Sequence, residues 1–274
     1  MSTPNSSSLR RVLNWVVPFA ILALAAIFIT LSLGDKGAPQ GEPTGNQTTP
    51  AAEQPTADGS GEPSPEDTEI TAPAPEPQTL EEYVTYLQAN RGPDLGRRDT
   101  AELSVAGPVD APVVMVVFSD YQCKFCSLWS RDSLPTLLDQ YVASGDLRIE
   151  WRDVNVFGEP SRQGAIAAHA AAQQGKFWEM HEAMLPDAKT LGADGLTPEN
   201  LTKIAGDLGL DTEQFVSDMS SAPVVNAVAR DELEGQQIGV TSTPSFLING
   251  IPVSGAQPVE MFQAIVDAEL AAAN

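Results

Sequence analysis

The sequence predicts an α/β domain with a helical insertion over residues 79–274, preceded by one apolar span and a low-complexity linker. Three observations carry this prediction. The apolar run Val113–Phe118 leads almost directly into the only two cysteines of the chain, Cys123 and Cys126, and then into a stretch with helical apolar spacing. A second strand-like run, Leu147–Val154, follows that stretch, which gives the strand–helix–strand order of a parallel crossover unit. Residues from about 160 to 235 then read as helical almost throughout, before strand character returns at Thr241.

The N-terminal third has a different character. Residues 13–33 carry no charge and are about long enough to cross a bilayer. Arg10 and Arg11 precede them, whereas the stretch beyond is mostly acidic with a single early Lys36. The positive-inside rule therefore places residues 1–12 in the cytoplasm and everything after Gly34 outside it. The expectation is a single-pass signal anchor in the cell membrane. A cleaved signal peptide is the rival reading, but its small-x-small pattern, Ala23-Leu24-Ala25, falls inside the apolar run rather than after it. No cysteine follows the span closely, which excludes a lipid-modified one. Residues 34–78 are dominated by Pro, Gly, Ser, Thr, Gln and Glu and lack Leu, Val and aromatic residues. Such a composition cannot bury enough apolar surface to offset its ordering entropy, so a disordered acidic stalk is predicted here.

The folded domain is expected to start at Thr79, where Thr79-x-x-Glu82 matches a capping box ahead of Leu80, Tyr83, Val84, Tyr86 and Leu87. Ala106 to Asp110 reads as a turn, Val113–Phe118 as the first central strand and Leu147–Val154 as the second. Within the insertion, Ala165 to Gln174 is Ala-rich, and Phe177 to Met184 continues the apolar spacing. Thr197-Pro198 opens one further helix and Asp211 another. Thr241 to Phe246 reads as a strand, Asn249-Gly250 as a two-residue hairpin turn and Ile251–Val253 as the returning strand. A closing helix spans Pro258 to Ala273, with Met261, Phe262, Ile265, Val266 and Leu270 expected on its buried side.

The chemistry lies in Cys123-Lys124-Phe125-Cys126. Apolar residues recur after Phe125 at Leu128, Trp129, Leu134, Leu137, Leu138 and Tyr141, the spacing of a helix with one buried face. Cys123 then sits at a helix N-terminus, where unpaired N–H groups and the positive end of the dipole stabilise a thiolate. Lys124 adds charge of the same sense. Cys126, one turn further in, is expected to be more buried. Cys123 is accordingly the attacking thiol and Cys126 the resolving one. A zinc site would need further soft ligands, and the only histidines, His169 and His181, lack metal-ligand spacing to the cysteines, so no metal and no cofactor is expected. A purely structural disulfide closing so short a loop would stabilise little. His181, among Phe177, Trp178, Met180 and Met184, reads as a packing residue; His169 receives no role. Trp129, one turn past Cys126, reads as a fluorescence reporter of redox state.

Three segments in order carry a family resemblance. Phe118-Ser-Asp-Tyr-Gln-Cys-Lys-Phe-Cys126 is similar to the active-site segment of DsbA-family thiol:disulfide oxidoreductases. Gly175-Lys-Phe-Trp-Glu-Met-His181 resembles a piece of their helical insertion, and Gly239-Val-Thr-Ser-Thr-Pro-Ser-Phe246 resembles their loop bearing a cis-proline. The resemblance covers roughly residues 80–274 and implies a thioredoxin-like fold. It also implies a cis Thr243–Pro244 bond lying against the cysteines, with Thr243 and Pro244 offering a substrate strand its backbone contacts. The intervening pair, Lys124 and Phe125, tunes thiolate stability in such a site. Two positions depart from the family pattern. Val117 stands where many members carry an acidic residue, and Lys124 stands where many carry proline. Asp120 is nearer to the cysteines in sequence and reads as a capping or turn residue.

A formal charge of −22 argues against nucleic-acid binding, and about eight of those charges belong to the linker, whose nine carboxylates face one lysine. The expected partners are thiols of exported or cell-envelope proteins and, by family analogy, a quinone-linked membrane protein that reoxidises the cysteine pair. The expected activity is that of a membrane-anchored disulfide oxidase. A reductase or isomerase of the same compartment is the nearest alternative, and a redox-inert binding module on a stalk is the alternative from another class.

Overall fold

The computed structural model describes residues 77, 79–186 and 189–273. The expected anchor at 13–33, the residues before it and all of the linker except Pro77 lie outside the described residues. Among the described residues no helix is long and apolar enough to cross a membrane.

The domain opens with helix α1 (Leu80–Ala89), started by the capping box: Thr79 Oγ1 accepts from the Glu82 amide and the Thr79 amide donates to Glu82 Oε2, both at 3.1 Å. A short strand β1 (Val105–Ala106) leads to β2 (Val113–Ser119), α2 (Lys124–Asp132) and α3 (Leu134–Leu137), which runs on into a π-turn over Leu138–Val142. Strand β3 (Leu147–Asp153) precedes the helical insertion. That insertion comprises α4 (Glu159–Ala172), α5 (Phe177–Met184), α6 (Gly192–Gly195), α7 (Pro198–Asp207), α8 (Thr212–Met219) and α9 (Ala222–Gln237). The hairpin β4 (Ser245–Ile248) and β5 (Ile251–Ser254) and the helix α10 (Val259–Ala273) close the chain.

The strands form one sheet in the order β1-β3-β2-β4-β5. β2 and β3 pair in parallel from Val113↔Leu147 to Ser119↔Asp153, as the crossover reading requires, while β4 returns antiparallel to β2 with Val117 opposite Phe246. β2 is central and covered on both faces, so all seven of its residues are buried, which is why it reads as an unbroken apolar run rather than an alternation. Asn249 and Gly250 both take positive φ, 46° and 83°, as a two-residue turn matched to strand twist demands. At Gly250 a Cβ would lie 2.5 Å from the Gly92 carbonyl, so glycine is needed there twice over.

One face of the sheet holds the main core. Trp129 from α2 packs there with ring centroids 4.8 Å from Phe246, 5.8 Å from Phe262 and 6.4 Å from Trp151. The opposite face carries Val114, Val116, Phe118 and Val154, covered in part by Leu95 and Val240.

Four local expectations need correction. Val105–Ala106, at the edge of the stretch read as a turn, pairs antiparallel with Glu150 and Ile149 as β1. The cysteine helix is not continuous through Tyr141: it ends at Asp132 because Pro135, with no N–H to give, cannot extend it and instead starts a new short helix. The strand read over Thr241–Phe246 begins only at Ser245, after Pro244. On α10 the buried stripe ends in Glu269, 5% exposed, rather than Leu270. Arg91 makes this burial tolerable by clasping the Glu269 carboxylate at 2.7 and 3.0 Å, and Gln88 and Asn249 add further hydrogen bonds.

Candidate active site

Both cysteines lie just past the C-terminal end of β2, at the central strand of the sheet. The chain turns at Asp120, whose carbonyl accepts from the Cys123 amide at 3.0 Å, and Cys123 becomes the N-cap of α2. Its sulfur faces the open amides of the first turn and accepts from the Cys126 N–H at 3.3 Å. Cys123 lies just under the surface and Cys126 is fully enclosed; both are free thiols.

These positions push the two thiols in opposite directions. A hydrogen bond with the Cys126 side chain, followed by those with Thr243 and the amides of Cys126 and Phe125, overcomes burial and lowers Cys123 to about 6. Burial first, then the neighbouring Cys123, raises Cys126 well above an ordinary thiol, with the Ser119 side chain and the Asp120 amide only partly opposing. At neutral pH the first sulfur is a thiolate and the second keeps its proton.

The other residues singled out near the cysteines in the sequence divide into four groups. Thr243 and Pro244 are brought against the cysteines: Cys123 Sγ lies 3.2 Å from the Thr243 carbonyl oxygen, a hydrogen bond the sulfur donates only while protonated, and the Thr243–Pro244 bond is cis. Lys124 and Phe125 point outward at the mouth of the site, with Phe125 60% exposed. Val117 is a core residue with no exposure. Asp120 does not bond to Cys126 through its carboxylate. Oδ1 accepts from the Gln122 amide at 2.7 Å and Ser161 Oγ at 2.6 Å, and Oδ2 accepts from the Phe157 amide at 3.1 Å.

His181 is buried as expected of a packing residue, with Nδ1 3.3 Å from the Tyr121 hydroxyl and Nε2 3.2 Å from Ser130 Oγ. Burial lowers it to about 3, so the ring is neutral. His169, which received no role from its sequence context, stands instead in a buried ionic cluster. Its Nε2 lies 3.1 Å from Asp153 Oδ2 and 3.7 Å from Asp231 Oδ2. Burial acts to lower its pKa, but the hydrogen bonds and charges of the two carboxylates prevail and raise it to about 9.

Asp153, His169 and Asp231 are also the one set among the described residues whose ligand atoms are close enough to hold a metal ion. The surroundings favour an imidazolium over a metal. Arg97 stands 2.7 Å from Asp231 Oδ1, and Trp151 Nε1 donates to Asp153 Oδ1 at 3.1 Å, so cations and donors already engage the carboxylates. The cluster continues into a strip of charges from β3. Arg148 and Arg152 hold Glu150 at 2.7 and 2.6 Å, and the amides of Arg97 and Arg98 donate to the same carboxylate at 2.9 Å each. Glu234 accepts from Arg152 at 2.9 Å and from Arg97 at 2.5 Å. Protonated His169 supplies the cation that Asp153 otherwise lacks.

Comparison with known proteins places this geometry. A family profile described as thioredoxin matches residues 100–268. A probable disulfide bond formation protein D of Bacillus cereus is 30% identical over 148 residues, 53% of this chain and 68% of that protein. The Na(+)/H(+) antiporter NhaA 3 of Salinispora tropica is 31% identical over 175 residues, which is 62% of this chain but only 25% of the antiporter, so the chain spans about a quarter of that relative's length. Among solved structures, oxidised BdbD from Bacillus subtilis superposes with a TM-score of 0.57 at 22% identity, covering 66% of this chain and 97% of that one, a likeness of fold.

Proposed function

This chain belongs to the thioredoxin family, among its DsbA-like thiol:disulfide oxidoreductases, and on that footing we propose that it introduces disulfides into exported proteins through Cys123 and Cys126. The observation that carries the direction of transfer is the opposed thiol chemistry of the pair, a Cys123 lowered to about 6 beside a raised, enclosed Cys126. A low-pKa thiolate is a stable product of reduction, which makes the disulfide a ready electron acceptor.

The oxidised site holds a Cys123–Cys126 disulfide. A substrate thiolate attacks Cys123 Sγ, the S–S bond breaks, and Cys126 leaves with the electron pair and takes up a proton. A second substrate thiolate then attacks the substrate sulfur of the mixed disulfide and expels Cys123 as its thiolate, which leaves readily because its pKa is low. Two electrons have passed to the protein and the substrate holds a new disulfide. Thr243 and Pro244 present backbone groups to the substrate strand, while Lys124 and Phe125 tune and flank the attacked sulfur. Among the described residues no acidic side chain is hydrogen-bonded to Cys126, so its proton comes from water, directly or relayed through the neighbouring Ser119 hydroxyl, which regains its own from solvent.

In this reading residues 13–33 anchor the domain in the cell membrane, residues 34–78 tether it outside the cytoplasm, and a quinone-linked membrane protein returns the pair to the disulfide state. Trapping tests the proposal. The Cys126→Ala variant, unable to resolve, is expected to accumulate mixed disulfides between Cys123 and exported-protein thiols, visible as adducts that dithiothreitol releases. Absence of such adducts under oxidising conditions would refute it.

A further inference from the structure

Residues 79–274 carry 28 aspartates and glutamates against 12 lysines and arginines, so the domain as a whole repels anions. Its cations are almost all engaged. Nine of the 12 pair with a carboxylate of the domain, and the Arg98 guanidinium donates to the Ala111 carbonyl at 2.6 Å. Among the described residues only the ammonium groups of Lys124 and Lys189 are left without a hydrogen-bonded or ion-paired partner, and both residues are exposed. The fold sets these two beside one stretch of helix. Lys124 opens α2 directly after Cys123. Ser127 lies one turn further, stacked on the Cys123 face of the helix, with its amide donating to the Cys123 carbonyl at 3.1 Å. Its buried hydroxyl donates to the Lys189 carbonyl at 3.0 Å, which seats Lys189 against that turn although it lies 62 positions further along the chain.

We propose that Lys124 and Lys189 form a cationic recognition site for carboxylates that flank the reacting cysteine of the substrate. This rests on the disulfide-transfer reading, because the attack on Cys123 is what brings a substrate segment to the two lysines. The favoured substrates are exported chains with Asp or Glu close to that cysteine. One helical turn is about 5.4 Å, which an extended strand covers in about two residues, so a carboxylate within about three residues of the cysteine reaches the site. The attacking sulfur is itself an anion approaching an acidic domain, and two unneutralised cations at the point of attack offset the repulsion there. A cation already held by a carboxylate of its own chain offers an incoming anion little, which separates these two lysines from the paired cations of the domain.

The experiment reacts the oxidised full-length protein with three peptides that differ only in the residues on either side of a single cysteine: glutamate, glutamine or lysine. Loss of the protein disulfide is followed by thiol alkylation, and the readout is the ratio of rate constants for the glutamate and glutamine peptides. Each peptide's own thiol pKa is the same against every variant, so a change of ratio between variants belongs to the protein. Lys124→Met and Lys189→Met keep an unbranched side chain and every backbone bond, including the one that Ser127 makes to the Lys189 carbonyl. Each is expected to lower the ratio about twofold, the size of an exposed ion pair, and the double variant about fourfold, because the two cations act on separate carboxylates. Any effect of Lys124 on the reactivity of Cys123 itself falls on both peptides and cancels. The ratio of lysine to glutamine peptide is expected to rise in the same variants. Raising the salt from about 20 mM to about 500 mM is expected to shrink the difference between wild type and double variant. A ratio unchanged in Lys189→Met would overturn the proposal, as would a difference that salt leaves intact. Failure of the wild-type protein to react with any of the three peptides would instead remove the disulfide-transfer reading itself.

Discussion

A Cys123→Ser variant retains its fold and loses disulfide transfer to the uncatalysed background. The serine hydroxyl can replace the sulfur as N-cap of α2, since serine is among the preferred caps, so stability is expected to change by less than about 1 kcal/mol. The chemistry has no such substitute. An alcohol at this position is not a thiolate at neutral pH and cannot form the S–S bond through which the two electrons pass. Assays of thiol oxidation in a reduced peptide and of denaturant midpoint, run on the same preparation, separate the two effects. Retained transfer in the variant would mean that Cys123 is not the exchanging sulfur. Undiminished capture of unfolded chains together with no transfer activity in the wild type would instead favour a redox-inert binding module.

The second large effect lies at His169. Replacing it by glutamine leaves Asp153 and Asp231 with their charges and without the cation between them, a change expected to cost about 3–5 kcal/mol in denaturant unfolding. The same cluster makes wild-type stability depend on pH in a fixed direction. His169 is raised to about 9 in the fold from the ordinary 6.5, so the folded state binds the proton more tightly than the unfolded state. Its contribution is therefore complete below pH 6.5 and is lost as pH rises through about 9. The loss is expected to approach roughly 3 kcal/mol, since each pH unit separating the folded and unfolded pKa values is worth about 1.4 kcal/mol. The difference in denaturant midpoint between wild type and His169→Gln, measured from about pH 6 to about pH 10, reads this directly, because groups common to both proteins, Cys123 among them, cancel: the stability advantage of the wild type shrinks as pH rises through about 9. Parallel curves for the two proteins would show that the imidazole carries no charge.

Whether a feature could be read from the sequence followed the distance between interacting residues. The Thr79 capping box, the Asn249-Gly250 turn and the cap position of Cys123 are local, and each is decided by residues within a few positions of one another. The central strand was equally legible, because burial on both faces leaves an unbroken apolar run. The charged face of β3 was not. Arg148, Glu150 and Arg152 alternate with Ile149 and Trp151 as a half-exposed strand would, yet they are 3%, 0% and 0% exposed. Their partners, Arg97, Arg98 and Glu234, lie roughly fifty residues before and eighty residues after the strand, and no spacing rule reaches that far. His169 was missed for the same reason, since Asp231 comes from α9. Asp120 was read correctly as a turn residue, but its bond to the Phe157 loop, 37 positions away, has no local signature. The hydroxyl of Ser161, near the start of α4, was the one available hint.

The reduction potential of residues 79–274, equilibrated in glutathione buffers and read by alkylation of Cys123 and Cys126, tests the central claim most directly. A disulfide donor with a stabilised Cys123 thiolate is expected to fall between about −120 and −180 mV. A value near about −270 mV, the poise of a reductant, would contradict the account and assign the same two sulfurs to the reduction of disulfides.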